Sequence, residues 1–378
     1  MNILFISPNA YRAGAQMQLL LFTQWLYRNR KDIQFDVLLA SGGSLMEEFR
    51  KTCRKMYLIP RNSVTRNPVI KYYIRRKKIG LFSELAKNGY DLVYNSTVTT
   101  GEVLQQLSFL NVPVITDANE LDYWIDKVGL ENASLIRQFT SHYVAASRSV
   151  AECLLRRGLA RPDNVKTNYV MVDFGKLDGQ EFKESLRAKM GIPPESLIIG
   201  ACGAEVFRKG KDLFLHVAND LLSRALDKEI HFVWIGGEMT DEIRFDFERS
   251  PYREYIHFID HSPVASGFFR EFDVFVMLSR DDPFPIVNVE VGFWGVPIVC
   301  FEGTGGSVEL IADGGGIAVP YGQLRLFADA VLSLIDHPEK RSTLGKVLRE
   351  KVISSFGVDA VSEKLMGIIS AVSQKQKN

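Results

Sequence analysis

The chain has 378 residues, enough for two domains that each bury a core of their own. Hydrophobic residues make up 46% of the sequence and charged residues 24%, as in a soluble globular protein. No apolar run approaches the roughly 20 residues that a membrane-spanning helix needs. The cysteines are too scattered for a zinc site or a disulfide framework, and Met1–Ser7 is typical of a first strand rather than of a signal peptide. We therefore expect a cytoplasmic protein.

Charge is distributed unevenly along the chain, although its net value is only +1. Residues 1–174 hold 23 Lys and Arg against 15 Asp and Glu, a net charge of +8, and residues 175–378 hold 23 against 30, a net charge of −7. Between Arg50 and Gly80 there are 11 basic residues and no acidic one. This one-sided charge indicates an anionic partner for the first half.

The first half alternates apolar runs with helical patterns, which predicts a parallel doubly wound sheet. The candidate strands are residues 2–6, 34–39, 56–59, 91–94, 113–116 and 143–146. Gly14 lies in the loop before the first helix, where it either admits a ligand or only relieves steric crowding. Residues 164–194 lose periodicity and are predicted to connect the domains.

A helix is predicted from Asn67 to Lys87, in which aromatic residues such as Tyr72 and Tyr73 alternate with bases such as Arg75 and Arg76. This pattern favours a helix that touches anionic lipid, and the alternative is a solvated helix face. Nucleic acid is a weaker alternative, because no recognition module accompanies the charge.

In the second half, a strand at Leu197–Ala201 leads into a loop that carries Arg208 and Lys209 before a helix from Asp212. Two cations beside glycine and a helix N-terminus suit a pyrophosphate, and the alternative is solvated loop charge. The next strand, His231–Ile235, ends in Gly236.

The most informative stretch runs from Leu278 to Leu310. A buried strand leads to Ser279, to Asp282 and to a Pro-Phe-Pro turn, and a helical pattern then reaches Glu290. A second strand and a glycine loop at 303–306 follow, so both loops direct N–H groups towards one sheet edge, where they favour a phosphate. Carboxylates such as Asp282 and Glu290 are suited to hydroxyl recognition beside it.

This stretch resembles the donor-sugar signature of the family 4 retaining glycosyltransferases, in which two glutamates are separated by seven residues. The spacing from Asp282 to Glu290 is intact, but the first acid is shorter. Pro283-Phe284-Pro285 replaces the usual Gly-Phe-Gly, so two backbone donors are missing. Lys209 matches the lysine of the family, whereas Gly203 stands near the place of its upstream arginine, for which Arg208 would substitute. Asn119 stands where the family has a histidine.

The resemblance implies the GT-B fold, an α/β architecture of two Rossmann-like doubly wound domains facing a cleft. Residues 1–174 would bind the acceptor, residues 175–357 the nucleotide-diphosphate sugar, and the helix 358–378 would cross back to the first domain. The expected catalytic residues are Arg208, Lys209, Asn119 and Asp282. The expected substrate-binding residues are Glu290, Phe284, Pro285, Ile286, Val287, Gly14, Gly236 and Ser279.

The expected reaction is sugar transfer to a glycan or lipid-linked acceptor, as in cell-surface polysaccharide assembly. No Asp-X-Asp occurs, so neither a metal nor a cofactor is expected. The protein would work in the cytoplasm, peripherally on the inner face of the membrane, which it would contact through residues 50–80.

Asn119 predicts low activity. A nucleotide-sugar epimerase and a non-catalytic homologue that binds a nucleotide or partner are alternatives, whereas no complete Gly-X-Gly-X-X-Gly supports an oxidoreductase.

Overall fold

The computed structural model describes residues 1–60, 67–179, 185–225, 227–260, 262 and 265–374. The chain divides into two compact units, the first formed by Met1–Met171 with the segment from Val358, and the second by Val172–Gly357. Each unit contains one parallel β-sheet. The predicted α/β class with two Rossmann-like domains is therefore confirmed.

Within the described residues, the sheet of the first unit has seven strands in the order β3-β2-β1-β4-β5-β6-β7. The strands are β1 Asn2–Ser7, β2 Gln34–Leu39, β3 Met56–Leu58, β4 Leu92–Asn95, β5 Val114–Ala118, β6 His142–Ala145 and β7 Val165–Thr167. The strand order reverses between β1 and β4, as in a doubly wound fold. Strand β7 falls inside the stretch predicted to connect the domains, so that prediction was wrong for these residues.

The described sheet of the second unit has six strands in the order β10-β9-β8-β11-β12-β13. They are β8 Leu197–Cys202, β9 Ile230–Ile235, β10 Ile256–Ile259, β11 Val274–Met277, β12 Ile298–Phe301 and β13 Gly316–Val319. Its order also reverses, between β8 and β11, so the loops that follow these two strands lie side by side at the carboxyl edge. Strand β13 was not predicted.

Helices cover the sheets. In chain order the described helices are α1 Gly14–Asn29, α2 Met46–Arg50, α3 Pro68–Lys87, α4 Gly101–Gln106, α5 Asp122–Phe139, α6 Arg148–Arg156, α7 Phe174–Asp178, α8 Leu186–Met190, α9 Lys211–Leu222, α10 Asp241–Arg249, α11 Ala265–Phe268, α12 Ile286–Phe293, α13 Ser307–Ile311, α14 Leu324–Asp336, α15 Pro338–Ser355 and α16 Val358–Gln374. In the part of the chain that the structure describes, no helix is long and apolar enough to span a membrane.

Strand side chains alternate between two buried layers in the first unit. Ile3 and Phe5 enter the layer that contains residues of α1 and α16, whereas Leu4 and Ile6 enter the layer that contains residues of α4, α5 and α6. Because both faces of the parallel sheet are covered, its strands are continuous apolar runs, which is why most of them could be predicted.

In the second unit, Phe214 of α9 packs edge-on against Phe232 and Trp234 of β9, with ring centroids 5.8 and 5.5 Å apart. These aromatic contacts hold α9, and hence the loop before it, against the sheet. The core of this unit thus positions the loop that carries Arg208 and Lys209.

The predicted basic helix is present as α3, and its first turns are largely exposed. Tyr72 is 67% exposed and Tyr73 is 56% exposed, whereas Leu85 near the end of the helix is buried. Residues 61–66, which belong to the basic segment 50–80, lie outside the described residues.

Candidate functional site

The loops after β8 and β11 meet at the carboxyl edge of the second sheet. A single 3-10 turn, Phe207–Lys209, follows β8 and ends at Gly210, whose φ is +74°. A Cβ atom at Gly210 would lie 2.2 Å from the backbone oxygen of Leu278. Glycine therefore allows both the left-handed turn and the close approach of the two loops.

A cluster of opposite charges joins the two loops. The Lys209 Nζ lies 2.5 Å from Oδ2 of Asp282, and Arg208 Nη1 lies 3.5 Å from the same oxygen. Arg208 also donates to the backbone oxygen of Asp281 at 3.0 Å, and the Ser279 hydroxyl lies 3.4 Å from Asp282 Oδ2. The structure thus brings together four residues that the sequence predicted for the site. We name Arg208, Lys209 and Asp282 the ion-pair cluster.

The backbone of Asp282 is held by the glycine loop after β12. Its N–H donates to the oxygen of Thr304 at 2.8 Å, and the N–H of Gly306 donates to the backbone oxygens of Asp282 and Pro283 at 3.3 and 3.0 Å. The expectation that this glycine loop offers free N–H groups to a phosphate was therefore wrong for Gly306, because its donor is already engaged.

Helix α12 begins at Ile286 with Pro285 as its N-cap, and within the described residues no side chain caps this end. The first N–H groups of a helix have no acceptor inside the helix, so those of Ile286 and Val287 can bind an anion. The ring of Phe284 is buried and stacks on Phe356 at a centroid distance of 5.6 Å. Phe284 therefore anchors the turn, and its ring belongs to the core.

Glu290 lies in the second turn of α12 and is half-buried. Protein atoms around its carboxyl group remove water and raise the pKa of Glu290 to about 7, although the charge of Lys176 opposes this shift. Cys202, half-buried at the end of β8, lies within range of both charges. Burial of its thiol raises the pKa of Cys202 to about 12, the Glu290 charge adds to the shift, and the Lys209 charge opposes it. Glu290 and Lys209 therefore lie near the same strand end.

Gly236 follows β9 with a φ of +108°, and a Cβ atom there would lie 2.8 Å from the backbone oxygen of Gly203. Sequence reasoning missed Lys211, which contacts the residues that follow Gly236. Its side chain donates to the backbone oxygens of Gly237 and Glu238, each at 2.8 Å, and the residue is only 4% exposed. Burial lowers the pKa of Lys211. The sequence feature that could have indicated Lys211 is its position directly after Arg208-Lys209-Gly210.

Arg280 was also missed. It donates two hydrogen bonds to the carboxylate of Asp212, at 2.9 and 2.6 Å, and a third to the backbone oxygen of Phe207 at 2.7 Å. Its own N–H donates to the backbone oxygen of Arg208 at 2.7 Å. Arg280 therefore fastens the cation-bearing loop to the start of α9.

Gly14 and Asn119 lie in the first unit. Gly14 is exposed and begins α1. The N–H of Asn119 donates to Glu120 at 2.9 Å, and this buried carboxylate also accepts from the Val98 N–H at 3.2 Å and from the Thr97 hydroxyl. Glu120 thus fixes the loop that presents Asn119 after β5.

Asn119 borders a small cavity of about 20 Å³ in the first unit. Asp117, Tyr94 and Asn168 also line it, and burial raises the pKa of Asp117 to about 7. A cavity of this size has room for about one water molecule. Among the described residues, no group of three His, Cys, Asp or Glu side chains is placed to hold a metal ion.

The two units, each with a parallel sheet whose strand order reverses, are those of the GT-B fold, and solved structures agree. The crystal structure of Anabaena HepE in complex with UDP-glucose superposes with a TM-score of 0.78 at 19% identity, covering 98% of this chain and 100% of that one. Residues 182–351 match the family model described as glycosyl transferases group 1, and this range takes in most of the second unit. The second unit is therefore similar in sequence to the group 1 glycosyl transferases.

Two curated proteins are similar to this chain, one over most of its length and the other over half of it. Spore coat protein SA of Bacillus subtilis is 23% identical over 305 residues, which are 76% of this chain and 80% of that protein. The D-inositol 3-phosphate glycosyltransferase of Corynebacterium diphtheriae is 24% identical over 196 residues, so the match spans only 46% of its length and 50% of this chain. Together the family match and these relatives support a transferase with the GT-B fold.

The raised pKa of Glu290 predicts a change of stability with pH. A carboxyl group normally titrates near 4.5, so between about pH 4.5 and 7 the folded protein keeps a proton that the unfolded chain releases. Stability is therefore lost as the pH rises through this window. In the absence of ligand, Glu290→Gln should raise the free energy of unfolding at pH 8 by on the order of 2 kcal/mol, with little change at pH 4.5.

Denaturant unfolding at the two pH values measures this difference. Glu302→Gln is the matched control, because Glu302 is an exposed acid of the same unit. An equal effect of the two substitutions at pH 8 would contradict the desolvation of Glu290.

Proposed function

We propose that the protein is a family 4 retaining glycosyltransferase, which transfers a sugar from a nucleotide-diphosphate sugar to a glycan or lipid-linked acceptor in cell-surface polysaccharide assembly. The observation that carries this proposal is the convergence of Arg208, Lys209 and the uncapped N-terminus of α12 at one sheet edge, with Glu290 in the second turn of that helix. Two cations beside free helical N–H groups form a site for a diphosphate. The UDP and UDP-glucose in the HepE complexes support a nucleotide-sugar donor.

In the proposed reaction Arg208, Lys209 and the N–H groups of Ile286 and Val287 stabilise the departing diphosphate. Glu290 accepts hydrogen bonds from the ribose hydroxyls, and its poor hydration makes these bonds strong. Asp282 and Ser279 contact the sugar hydroxyls, and Gly236 and Gly14 leave space for the substrates.

Transfer then takes place on the face of the sugar from which the diphosphate leaves. The bond from the anomeric carbon to the phosphate oxygen breaks, the acceptor oxygen bonds to that carbon, and the acceptor proton passes to the departing phosphate oxygen. No enzymic nucleophile is needed. The protein positions the donor and the acceptor and stabilises the charge of the departing diphosphate. We propose that no metal ion takes part, since the chain has no Asp-X-Asp sequence.

The acceptor is assigned to the first unit, and α3 is proposed to hold this unit on the anionic inner face of the membrane. The exposed Tyr72 and Tyr73 alternate with bases along this helix, and Lys77 lies 4.6 Å from the Tyr73 ring centre. Aromatic rings can enter the headgroup region while the bases meet anionic lipid. Some relatives carry names from lipid glycosylation, such as the phosphatidylinositol monomannoside mannosyltransferase of Corynebacterium glutamicum.

A non-catalytic homologue is the second candidate, because Asn119 and the prolines at 283 and 285 depart from the family pattern. Such a protein would still bind a nucleotide diphosphate but would not transfer the sugar. A nucleotide-sugar epimerase would release free or altered sugar without an acceptor. Product analysis with and without an acceptor distinguishes the three.

The diphosphate site is tested by thermal shift with UDP, GDP and ADP, since a ligand stabilises the fold as the logarithm of its concentration over Kd. One of them should raise Tm, and Lys209→Ala should abolish most of the increase and lower turnover by on the order of 10²-fold. Lys228→Ala, a lysine of the same unit that pairs with Asp336, is the control. Near-normal turnover of a folded Lys209→Ala protein would remove this assignment.

Asn119→His tests the proposed cause of low activity. Histidine can carry a proton near the reacting sugar and asparagine cannot, so the substitution should raise transfer by about 10- to 10³-fold with little change in nucleotide affinity. Single-turnover kinetics with a matched donor and acceptor measure it. An unchanged or lower rate would show that asparagine is the working residue.

Binding of α3 to lipid is tested by sedimentation with vesicles that contain anionic phospholipid at low salt. Reversing the charge of its bases should abolish binding, because each contributes up to about 1 kcal/mol near the surface. The residues to reverse are Lys71, Arg75, Arg76, Lys77 and Lys78. Lys340→Glu with Lys346→Glu, exposed bases of α15, is the control. Binding that survives reversal in α3 would contradict the proposal.

A further inference from the structure

The cations that would hold a diphosphate already have an anionic partner. Lys209 Nζ and Arg208 Nη1 converge on the same oxygen, Oδ2 of Asp282, at 2.5 and 3.5 Å. The side chains of Asp282 and Lys209 are only 8% and 14% exposed. Solvent therefore screens the attraction weakly, and removal of the carboxylate would leave two poorly hydrated cations without a counter-charge.

The two cations hold the side chain of Asp282, whereas its backbone is held by other groups. Hydrogen bonds with Thr304 and Gly306 hold the backbone of Asp282 on both sides, so the loop itself is fixed. The Ser279 hydroxyl donates to the same Oδ2 at 3.4 Å. Displacement of the carboxylate from the cations therefore requires a change in the side chain of Asp282 and not in the loop.

We propose that Asp282 is a resident anion, which occupies the phosphate site in the empty protein and is displaced when a diphosphate binds. The inference rests on the proposed function for the identity of the donor, and it assigns Asp282 a second role besides contact with the sugar. One carboxylate balances only one of the two cations, so the cluster keeps a net positive charge that attracts the incoming anion.

A resident anion makes the site selective. As part of the same chain, the carboxylate competes at an effective concentration of about the millimolar range or higher, so a simple anion such as inorganic phosphate displaces it poorly. A diphosphate carries more charge and also reaches the N–H groups at the start of α12, so it can displace the carboxylate. After transfer, the return of Asp282 to Lys209 helps to release the nucleoside diphosphate.

The test is calorimetric titration of the full chain with inorganic pyrophosphate and with UDP. Asp282→Asn keeps the size of the side chain and removes its charge, so it should bind pyrophosphate about 10-fold more tightly than the natural protein does, because the competing charge-assisted bond is gone. Inorganic phosphate should bind measurably to the variant alone. Lys209→Gln in the same background should reverse the gain.

Asp281→Asn is the matched control, because it removes the same charge one residue away and keeps the backbone oxygen that accepts from Arg208. It should change pyrophosphate affinity by no more than about 3-fold, because the competing carboxylate of Asp282 stays on Lys209. Asp282→Ser provides a second neutral variant, so that failure of the asparagine protein to fold would not prevent the measurement.

Unchanged or weaker binding of pyrophosphate by a folded neutral variant at position 282 would overturn the inference. Failure of the proposed function has a different signature. If the neutral variant gains affinity for pyrophosphate while no nucleotide sugar is turned over by the natural protein or by Asn119→His, the resident anion stands and the transferase assignment falls.

Discussion

The attraction between Lys209 and Asp282 links two loops that the chain separates by 73 residues, and the candidate site of the second unit is built around it. The loops are adjacent because β8 and β11 are neighbours where the strand order reverses. Gly210 then lets one loop approach the backbone of the other, and Arg280 fastens both to the start of α9. Charge, glycine and strand order together position the uncapped end of α12 beside two cations.

Each unit has a poorly hydrated carboxyl group near the carboxyl edge of its sheet. Asp117 and Glu290 both have a pKa raised to about 7 by burial, and neither is compensated by a close cation of the kind that holds Asp282. Such groups reduce the stability of the empty protein and gain most from a hydrogen-bonding ligand. The two carboxyl groups thus lower the free energy of unfolding in the absence of ligand and provide hydrogen-bonding groups for a ligand at these edges.

The departures from the family pattern change how an anion would be held. Pro283 and Pro285 remove backbone donors, and Gly306 uses its N–H to hold the Asp282 loop. Donors available to an anion at this edge include the first N–H groups of α12 and the side chains of Arg208 and Lys209. The buried ring of Phe284 keeps the intervening turn rigid, so the donors that remain are held in place before a ligand arrives.

The class of fold and most residues of the candidate site could be predicted from the amino-acid sequence, although Lys211 and Arg280 were missed. Strands such as β1 and β12, buried on both faces, are apolar runs that a pattern can detect, and the spacing of Asp282 and Glu290 is local to one turn and one helix. Strands β7 and β13 escaped detection because β7 is Val-Lys-Thr, with a charged centre, and β13 begins in a run of glycines, so pairing with a neighbour rather than composition makes them strands. The folded chain was needed to show that Asp282 binds Lys209 and Arg208, that the N–H of Gly306 is already engaged and that burial raises the pKa of Glu290. Each depends on groups distant in sequence, whose meeting follows from the order of the strands.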